Sequence, residues 1–268
     1  MDEISYFENV ASYKLLAKKE VGQNFLVDPK ACRDIVNALE VQQGEKVLEI
    51  GCGAGSLTYF LAQTEGDITA IDIDEAMLLK TGKDFEGVPN VKVIYGNAAR
   101  YDYAPFVKII GNLPYYITTS IIENVLLHAE KATKMVFMVQ KEAGERISSK
   151  VGSKDYSPLS VLLDLGFVCT RIRTVGRNSF VPVPHVESAV YSITKKKDLP
   201  EAELEGVYLL AKATFAKRRK TLRNNLKDIV SSDEEIDEAL KACHFSPTTR
   251  PEEVTPKGYL DLYRALKR

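Results

Sequence analysis

A chain of 268 residues with 45% hydrophobic and 27% charged side chains suits one large domain, or a medium domain with an appendage, and excludes a chain disordered as a whole. Its four cysteines (Cys32, Cys52, Cys169, Cys243) form no CxxC pair, and its three histidines (His128, His185, His244) lie far apart. Neither a zinc site, a disulfide framework nor a His-based hydrolase triad is therefore expected. The net charge of −1 gives no overall attraction for a polyanion, so any nucleic-acid contact has to come from local patches.

The amino terminus, Met1-Asp2-Glu3-Ile4, is acidic where a secretory signal is basic, and no apolar segment follows it. Nowhere do about eighteen apolar residues run together, so a membrane span is not expected, and a reduced, cytoplasmic protein is. From about residue 30 to 165, short Val/Ile-rich runs alternate with helical spacing. The runs are Val47–Ile50, Ile68–Ile71, Val91–Ile94, Val107–Ile110 and Met135–Val139. Nearly continuous apolar character suits strands buried on both faces of a parallel sheet. Helical segments fall at Leu57–Leu61 and Ile117–Leu127, with Thr118, Thr119 or Ser120 as the N-cap of the second.

Near residue 165 the rhythm changes. Val168–Val175 and Val186–Ile193 read as two further strands joined through Pro182 and Pro184, an antiparallel pair that closes the sheet. Lys195-Lys196-Lys197-Asp198-Leu199-Pro200 reads as a polar linker, and everything beyond it is helical in pattern. The expectation is an α/β, Rossmann-like domain with a seven-stranded, mostly parallel sheet over residues 1–197. A small all-helical domain follows over 198–268.

Glu49-Ile50-Gly51-Cys52-Gly53-Ala54-Gly55 directly follows the first strand and is expected to open a helix. Glycine lets the backbone turn sharply and approach a ligand, although a tight structural turn would use the same residues. The third glycine arrives one residue too early for the dinucleotide fingerprint G-x-G-x-x-G. Gly51-x-Gly53-x-Gly55 resembles instead the first motif of S-adenosylmethionine-dependent methyltransferases. Asp72 ends the second strand 21 residues after Gly51, where a carboxylate accepts hydrogen bonds from both ribose hydroxyls. Asp72 and Asp74 could equally be turn residues, but the register of Asp72 at a strand end favours the ligand role.

The fourth strand runs into Gly111-Asn112-Leu113-Pro114-Tyr115-Tyr116, and open α/β sheets bind ligands at the carboxyl ends of their strands. An Asn side-chain carbonyl and a backbone carbonyl beside proline can each accept one hydrogen of a weakly nucleophilic exocyclic amine, such as that of adenine. Tyr115 offers a face on which an extruded base can stack. No strong base is needed, which agrees with the shortage of histidines.

With these blocks in place, the chain resembles, nearly end to end, the small-subunit (16S) rRNA adenine N6,N6-dimethyltransferases of the KsgA type, relatives of the Erm methylases. Lys18-Lys19-Glu20-Val21-Gly22-Gln23-Asn24-Phe25-Leu26 is similar to the family's amino-terminal signature. That similarity implies a role for Asn24 and Leu26, with Gln23 close by, in holding the donor S-adenosylmethionine. Gly51 and Gly53 match the glycine motif, Asp72 the ribose acid, Asn97 the position that contacts the donor's adenine, and Asn112 to Tyr115 the catalytic tetrapeptide. Phe180-Val181-Pro182-Val183-Pro184-His185-Val186-Glu187-Ser188 resembles the family loop whose aromatic packs on the target base, so Phe180 is expected to form a second stacking wall.

The resemblance also implies two transfers on each of two adjacent adenosines near the 3′ end of small-subunit rRNA, in a pre-ribosomal particle, while nothing in the sequence suggests more than a monomer or calls for a metal. Four features depart from the family pattern. Asp72 is one methylene shorter than the usual Glu, Asn97 replaces an Asp, the interval of fifteen residues from Asn97 to Asn112 is short, and His185 stands where a Lys is common. An Erm-like action on large-subunit rRNA, and a weakly active assembly factor that binds rRNA, are the competing readings.

Residues 198–268 hold 13 Lys plus Arg and 13 Asp plus Glu, yet the charge is segregated. Lys212, Lys217, Arg218, Arg219, Lys220, Arg223 and Lys227 fall within sixteen residues without an acid between them, ahead of the acidic stretch Asp233–Glu238. Such a run is often only a solvated face. Together with the family's helical hallmark at Phe215–Leu226 it is expected to contact RNA phosphates through Lys217, Arg218, Arg219, Lys220 and Arg223.

Overall fold

A computed structural model describes residues 2–13 and 23–267. The signature residues 18–22 lie outside the described residues. The chain divides into two compact units, one of residues 1–144 and 170–194, the other of residues 145–169 and 195–268.

The first unit carries β2 (Lys46–Ile50), β3 (Asp67–Asp72), β4 (Val91–Tyr95), β5 (Lys108–Asn112) and β6 (Lys134–Gln140), preceded in the chain by a two-residue strand, β1 (Phe25–Leu26). Two longer strands, β7 (Phe167–Val175) and β9 (Ser188–Lys195), flank the two-residue β8 (Phe180–Val181). Seven of these form one sheet in the order β4-β3-β2-β5-β6-β9-β7. β2 to β6 are mutually parallel, and β9 runs antiparallel to β6. All seven expected strands occur, each within two residues of its expected bounds. For the centre of the sheet the reason is burial: Met135 to Val139 are at most 1% exposed, so β6 needs apolar residues on both faces.

The strand order reverses between β2 and β5, and connections leave these neighbours in opposite directions. A crevice results at their carboxyl ends. Helices cover the faces. α1 (Glu3–Ser12) packs Tyr6, Phe7 and Val10 into the core beneath the sheet. α2 (Pro29–Leu39) starts at Asp28, whose carboxylate accepts from the Ala31 N–H, with proline in its first turn. α3 (Thr58–Leu61) is a single turn after the glycine segment, within one residue of the expected helical stretch Leu57–Leu61. α4 (Glu75–Asp84) is capped by Asp74.

The expected N-cap of α5 (Thr118–His128) is corrected. Ile117 holds the cap position without a side-chain bond, because a 3-10 turn over Tyr115–Ile117 runs straight into the helix. Thr118 is buried, and its hydroxyl donates back to the Pro114 carbonyl at 2.8 Å. α6 (Lys141–Ile147) follows β6 directly.

The second unit contains α7 (Pro158–Gly166), α8 (Glu201–Phe215), α9 (Leu222–Leu226), α10 (Asp233–Ala242) and α11 (Pro256–Leu266) around its own apolar cluster. Its extent differs from the single boundary expected near 197, because residues 145–169 also belong to it. Tyr156 is 1% exposed and donates to the Val254 carbonyl at 2.9 Å, and Gly166 lies so close to Leu204 that a Cβ there would sit 2.4 Å from it. These partners lie tens of residues away, so no change in composition marks the insertion.

Candidate active site

The glycine segment turns at the carboxyl end of β2 with Gly51, Gly53 and Gly55 at φ +72°, +51° and +87°. The left-handed region penalises any side chain, which is why glycine recurs there. The N–H groups of Gly51 and Cys52 donate to the Ile71 carbonyl (2.8 and 3.0 Å), and that of Gly53 to Asp72 Oδ2 (2.8 Å). Buried side chains hold the loop's carbonyls from behind. Thr81 donates to Gly53 O (2.8 Å), Lys80 Nζ to Ala54 O (2.5 Å), and the Tyr6 hydroxyl to Ala54 O and Gly55 O (3.3 and 3.2 Å). Burial lowers the pKa of Lys80, and the Asp84 carboxylate 2.6 Å away opposes that shift.

Asp72 also accepts from the Asp74 N–H at 2.9 Å, so each of its oxygens already holds one backbone group of the loop region. Each carboxylate oxygen keeps a second lone pair for a ligand hydroxyl. Burial raises the Asp72 pKa, with the backbone N–H bonds opposing it. Gln23 Nε2 donates to Asp74 Oδ2 at 2.9 Å, which ties the end of the amino-terminal signature to the start of α4. Asn97 is exposed at the cleft, where its Oδ1 accepts from the Ala99 N–H (2.9 Å) and closes an Asx turn.

Asn112 is the last residue of β5. Its Nδ2 donates to the Asn24 carbonyl at 3.2 Å, and the Leu113 N–H donates to Met138 O at 3.0 Å. Among the described residues nothing donates to Asn112 Oδ1 or to the Leu113 carbonyl. A Cβ on Gly51 would lie 3.7 Å from the Asn112 carbonyl oxygen, and one on Gly111 would lie 2.6 Å from Ile50 O. Gly111 thus lets β5 come close to β2 ahead of the tetrapeptide, while the Gly51 contact is an ordinary one and its glycine answers to the positive φ. Tyr115 and Tyr116 stand in the 3-10 turn, Tyr115 half-buried and Tyr116 56% exposed.

Gln23, Asn24, Leu26, Gly51, Gly53, Asp72, Asn97 and Asn112 to Tyr115 all line one cleft of about 1030 Å³, its open mouth included. Phe180 does not. It is 1% exposed in the apolar core, because the pairing of β8 with β1 sets it opposite Leu26. The expectation of Phe180 as a second wall of the cleft is corrected accordingly.

Reading by motif passed over Glu49, Tyr116 and Ile73, which line the same cleft. Glu49 carried a signal: a carboxylate inside the otherwise apolar run Val47–Ile50. It is 1% exposed and accepts from the Thr58 hydroxyl at 2.6 Å. Burial first, and the Asp72 charge in smaller measure, push its carboxyl up to about 7 against the Thr58 bond. A carboxyl that binds its proton more tightly folded than unfolded stabilises the fold at low pH and loses that contribution as pH rises to its folded value. Unfolding free energy is therefore expected to decline from the ordinary glutamate range up to about pH 7 through Glu49. Urea titrations across this window check it. Glu49→Gln flattens the decline, and an unchanged slope would assign it to other groups.

In the helical unit most cations of the basic run have acidic or carbonyl partners within the fold. Arg223 pairs with Asp237 through both Nε and an Nη (2.7 and 2.8 Å) and reaches Asp233 (3.3 Å), while Lys227 takes Asp233 at 2.8 Å. Lys217 pairs with Asp228 (2.7 Å), and Arg218 donates to the Lys154 and Ser153 carbonyls (2.7 and 3.3 Å). The acidic stretch that follows the basic one in sequence folds back onto it. Among the described residues of the run, Arg219 and Lys220 are exposed and make no side-chain pair.

The family model for ribosomal RNA adenine dimethylase matches residues 14–267. The chain is 38% identical to the ribosomal RNA small subunit methyltransferase A of Myxococcus xanthus over 264 residues, covering 94% of this chain and 92% of the relative. It is 34% identical to the protein of the same name in Geobacillus thermodenitrificans, with 97% and 94% covered. Among solved structures it is similar to a dimethyladenosine transferase from Plasmodium falciparum (TM-score 0.72, 26% identity, 88% of this chain and 94% of that one). It is also similar to the 23S rRNA methyltransferase ErmE (TM-score 0.67, 25% identity, 91% and 100% covered).

Proposed function

The chain belongs to the ribosomal RNA adenine dimethylase family, and on that footing we propose that its cleft methylates adenine N6 of small-subunit rRNA with S-adenosylmethionine as donor. The protein is an rRNA adenine dimethyltransferase with a Rossmann-like fold. The donor fits the residues present. Gly51 and Gly53, both at positive φ, bring the loop backbone to the cleft, and the Glu49 and Asp72 carboxyls that line it suit a cationic ligand with a ribose. The donor supplies an electrophilic methyl group on a sulfonium.

The chain's own residues do the rest. Asp72 accepts from the ribose, and Gly51, Gly53, Asn24, Leu26 and Asn97 form the donor's bed. The adenine amine presents its two hydrogens to Asn112 Oδ1 and the Leu113 carbonyl, which keeps its nitrogen aimed at the donor carbon as its lone pair localises. Pro114 holds the turn, and Tyr115 supports the base. The observation that carries this reading is the pair of unengaged acceptors at Asn112 and Leu113 in the same cleft as the glycine loop. The substrate proposed is two adjacent adenosines near the 3′ end of the rRNA in a pre-ribosomal particle, modified by a monomer in the cytoplasm. Among the described residues no helix is long and apolar enough to cross a membrane.

Incubation with labelled donor and unmethylated small subunits, followed by digestion of the rRNA, tests the proposal. Dimethyladenosine from small subunits and not from large ones is the expected outcome, and the reverse would assign an Erm-like activity. RNA contact by the helical unit is proposed to rest on Arg219 and Lys220 in place of the full basic run. Arg219→Ala and Lys220→Ala are each expected to reduce the slope of log affinity against log salt by about one. Arg223→Ala is expected to leave that slope unchanged and to cost stability instead, because its charge is spent on Asp237 and Asp233. Filter-binding across a salt series separates the two classes.

A further inference from the structure

Ser188 opens β9, fully buried at 0% exposure. Three contacts fix its place: Ser188 sits opposite Gln140 of β6, the Lys141 N–H donates to the Glu187 carbonyl at 3.0 Å, and Lys141 Nζ pairs with the Glu187 carboxylate at 3.1 Å. Among the described residues its hydroxyl has one partner, the Tyr115 hydroxyl 3.2 Å away. A hydroxyl removed from water is costly without a partner, and alanine would fill nearly the same space. Packing alone therefore gives no reason for a serine at this position; the bond to Tyr115 does.

Tyr115 needs such a bond. It follows Pro114 in a one-turn 3-10 segment, with its ring half-buried at the cleft and its phenol kept protonated at neutral pH, since burial raises its pKa against the Ser188 bond. A ring held only through its backbone turns about two side-chain torsions. Held also at the hydroxyl end, its plane is set before any base arrives, which removes an ordering cost from binding.

We propose that Ser188 is a positioning residue for the methyl transfer: it fixes the Tyr115 ring on which the target adenine rests. The inference rests on the reading of Tyr115 as the base-supporting residue.

The test is steady-state kinetics on unmethylated small subunits for Ser188→Ala, Tyr115→Phe and the double variant, with Tyr115→Ala alongside. Each of the first two removes the same bond from one end. Each is expected to lower kcat/KM by about fivefold to tenfold, with the donor dissociation constant unchanged, and the double variant to lose no more than either single one. Additive losses would overturn the inference, since a packing defect at Ser188 persists whether or not Tyr115 has a hydroxyl. Wild-type kcat/KM in Ser188→Ala or in Tyr115→Phe would overturn it as well. Wild-type turnover in Tyr115→Ala would instead remove Tyr115 from the base's site, a failure of the underlying reading that is recognised separately.

Discussion

Asn112→Ala is expected to lower turnover by about two to three orders of magnitude while donor affinity stays within a few-fold. The asparagine stands at the end of β5, the Leu113 N–H is bonded to β6, and no described residue donates to its Oδ1. Adenine's amine is a weak nucleophile because its lone pair is shared with the ring. An acceptor fixed at the amine counts for little in the ground state and for much more as that lone pair localises, so its loss falls on kcat. Asn112 also donates to the Asn24 carbonyl, and Asn112→Ala releases that tie too. Asn112→Asp separates the two effects, since an ionised Asp keeps an acceptor and cannot donate to Asn24. Asp is expected to retain clearly more turnover than Ala. Equal losses would place the role in the tie to Asn24, and an Ala variant within tenfold of wild type would remove Asn112 from the chemistry.

Gly55→Ala is expected to be the most damaging change in the glycine loop, with a loss of about 2–5 kcal/mol in stability and a matching collapse of donor binding. Two costs combine there. The residue lies at φ +87°, and a Cβ would sit 2.4 Å from the Tyr6 hydroxyl and 3.3 Å from both Phe85 and Thr81. Gly152 isolates the first cost: its φ is +83°, and a Cβ there would meet nothing within 4 Å. Gly152→Ala should therefore lose only the backbone part, about 1–2 kcal/mol. Tyr6→Phe in the Gly55→Ala background removes the clashing oxygen and should recover part of the difference. Calorimetric melting of the four proteins reads these effects. Equal losses in the two alanine variants would mean that α1 yields to the new methyl group.

Val/Ile-rich runs made the central strands β2, β5 and β6 legible, because a strand buried on both faces has few other compositions open to it. The glycine loop and the tetrapeptide were legible for a related reason: backbone that turns at positive φ, or passes close to a neighbouring strand, leaves its mark as glycine at fixed intervals. Features made by residues distant in sequence were not legible. Tyr6 and Lys80 hold Ala54 from 48 and 26 residues away, and no local pattern announces either contact. Strands of two residues have no periodicity, so the β1–β8 pairing was invisible, and with it the burial of Phe180. The partners of the basic run were hidden for the same reason. Its cations stand apart from acids along the chain, yet the turn between α9 and α10 brings Asp233 and Asp237 back onto Arg223.

The most direct measurement is a structure of the protein with S-adenosylhomocysteine and an adenosine-containing RNA in the cleft. The expected result is the adenine amine within about 3 Å of both Asn112 Oδ1 and the Leu113 carbonyl, with the base against the Tyr115 ring. An amine turned away from both acceptors, with the donor analogue in place over Gly51 and Gly53, would contradict it.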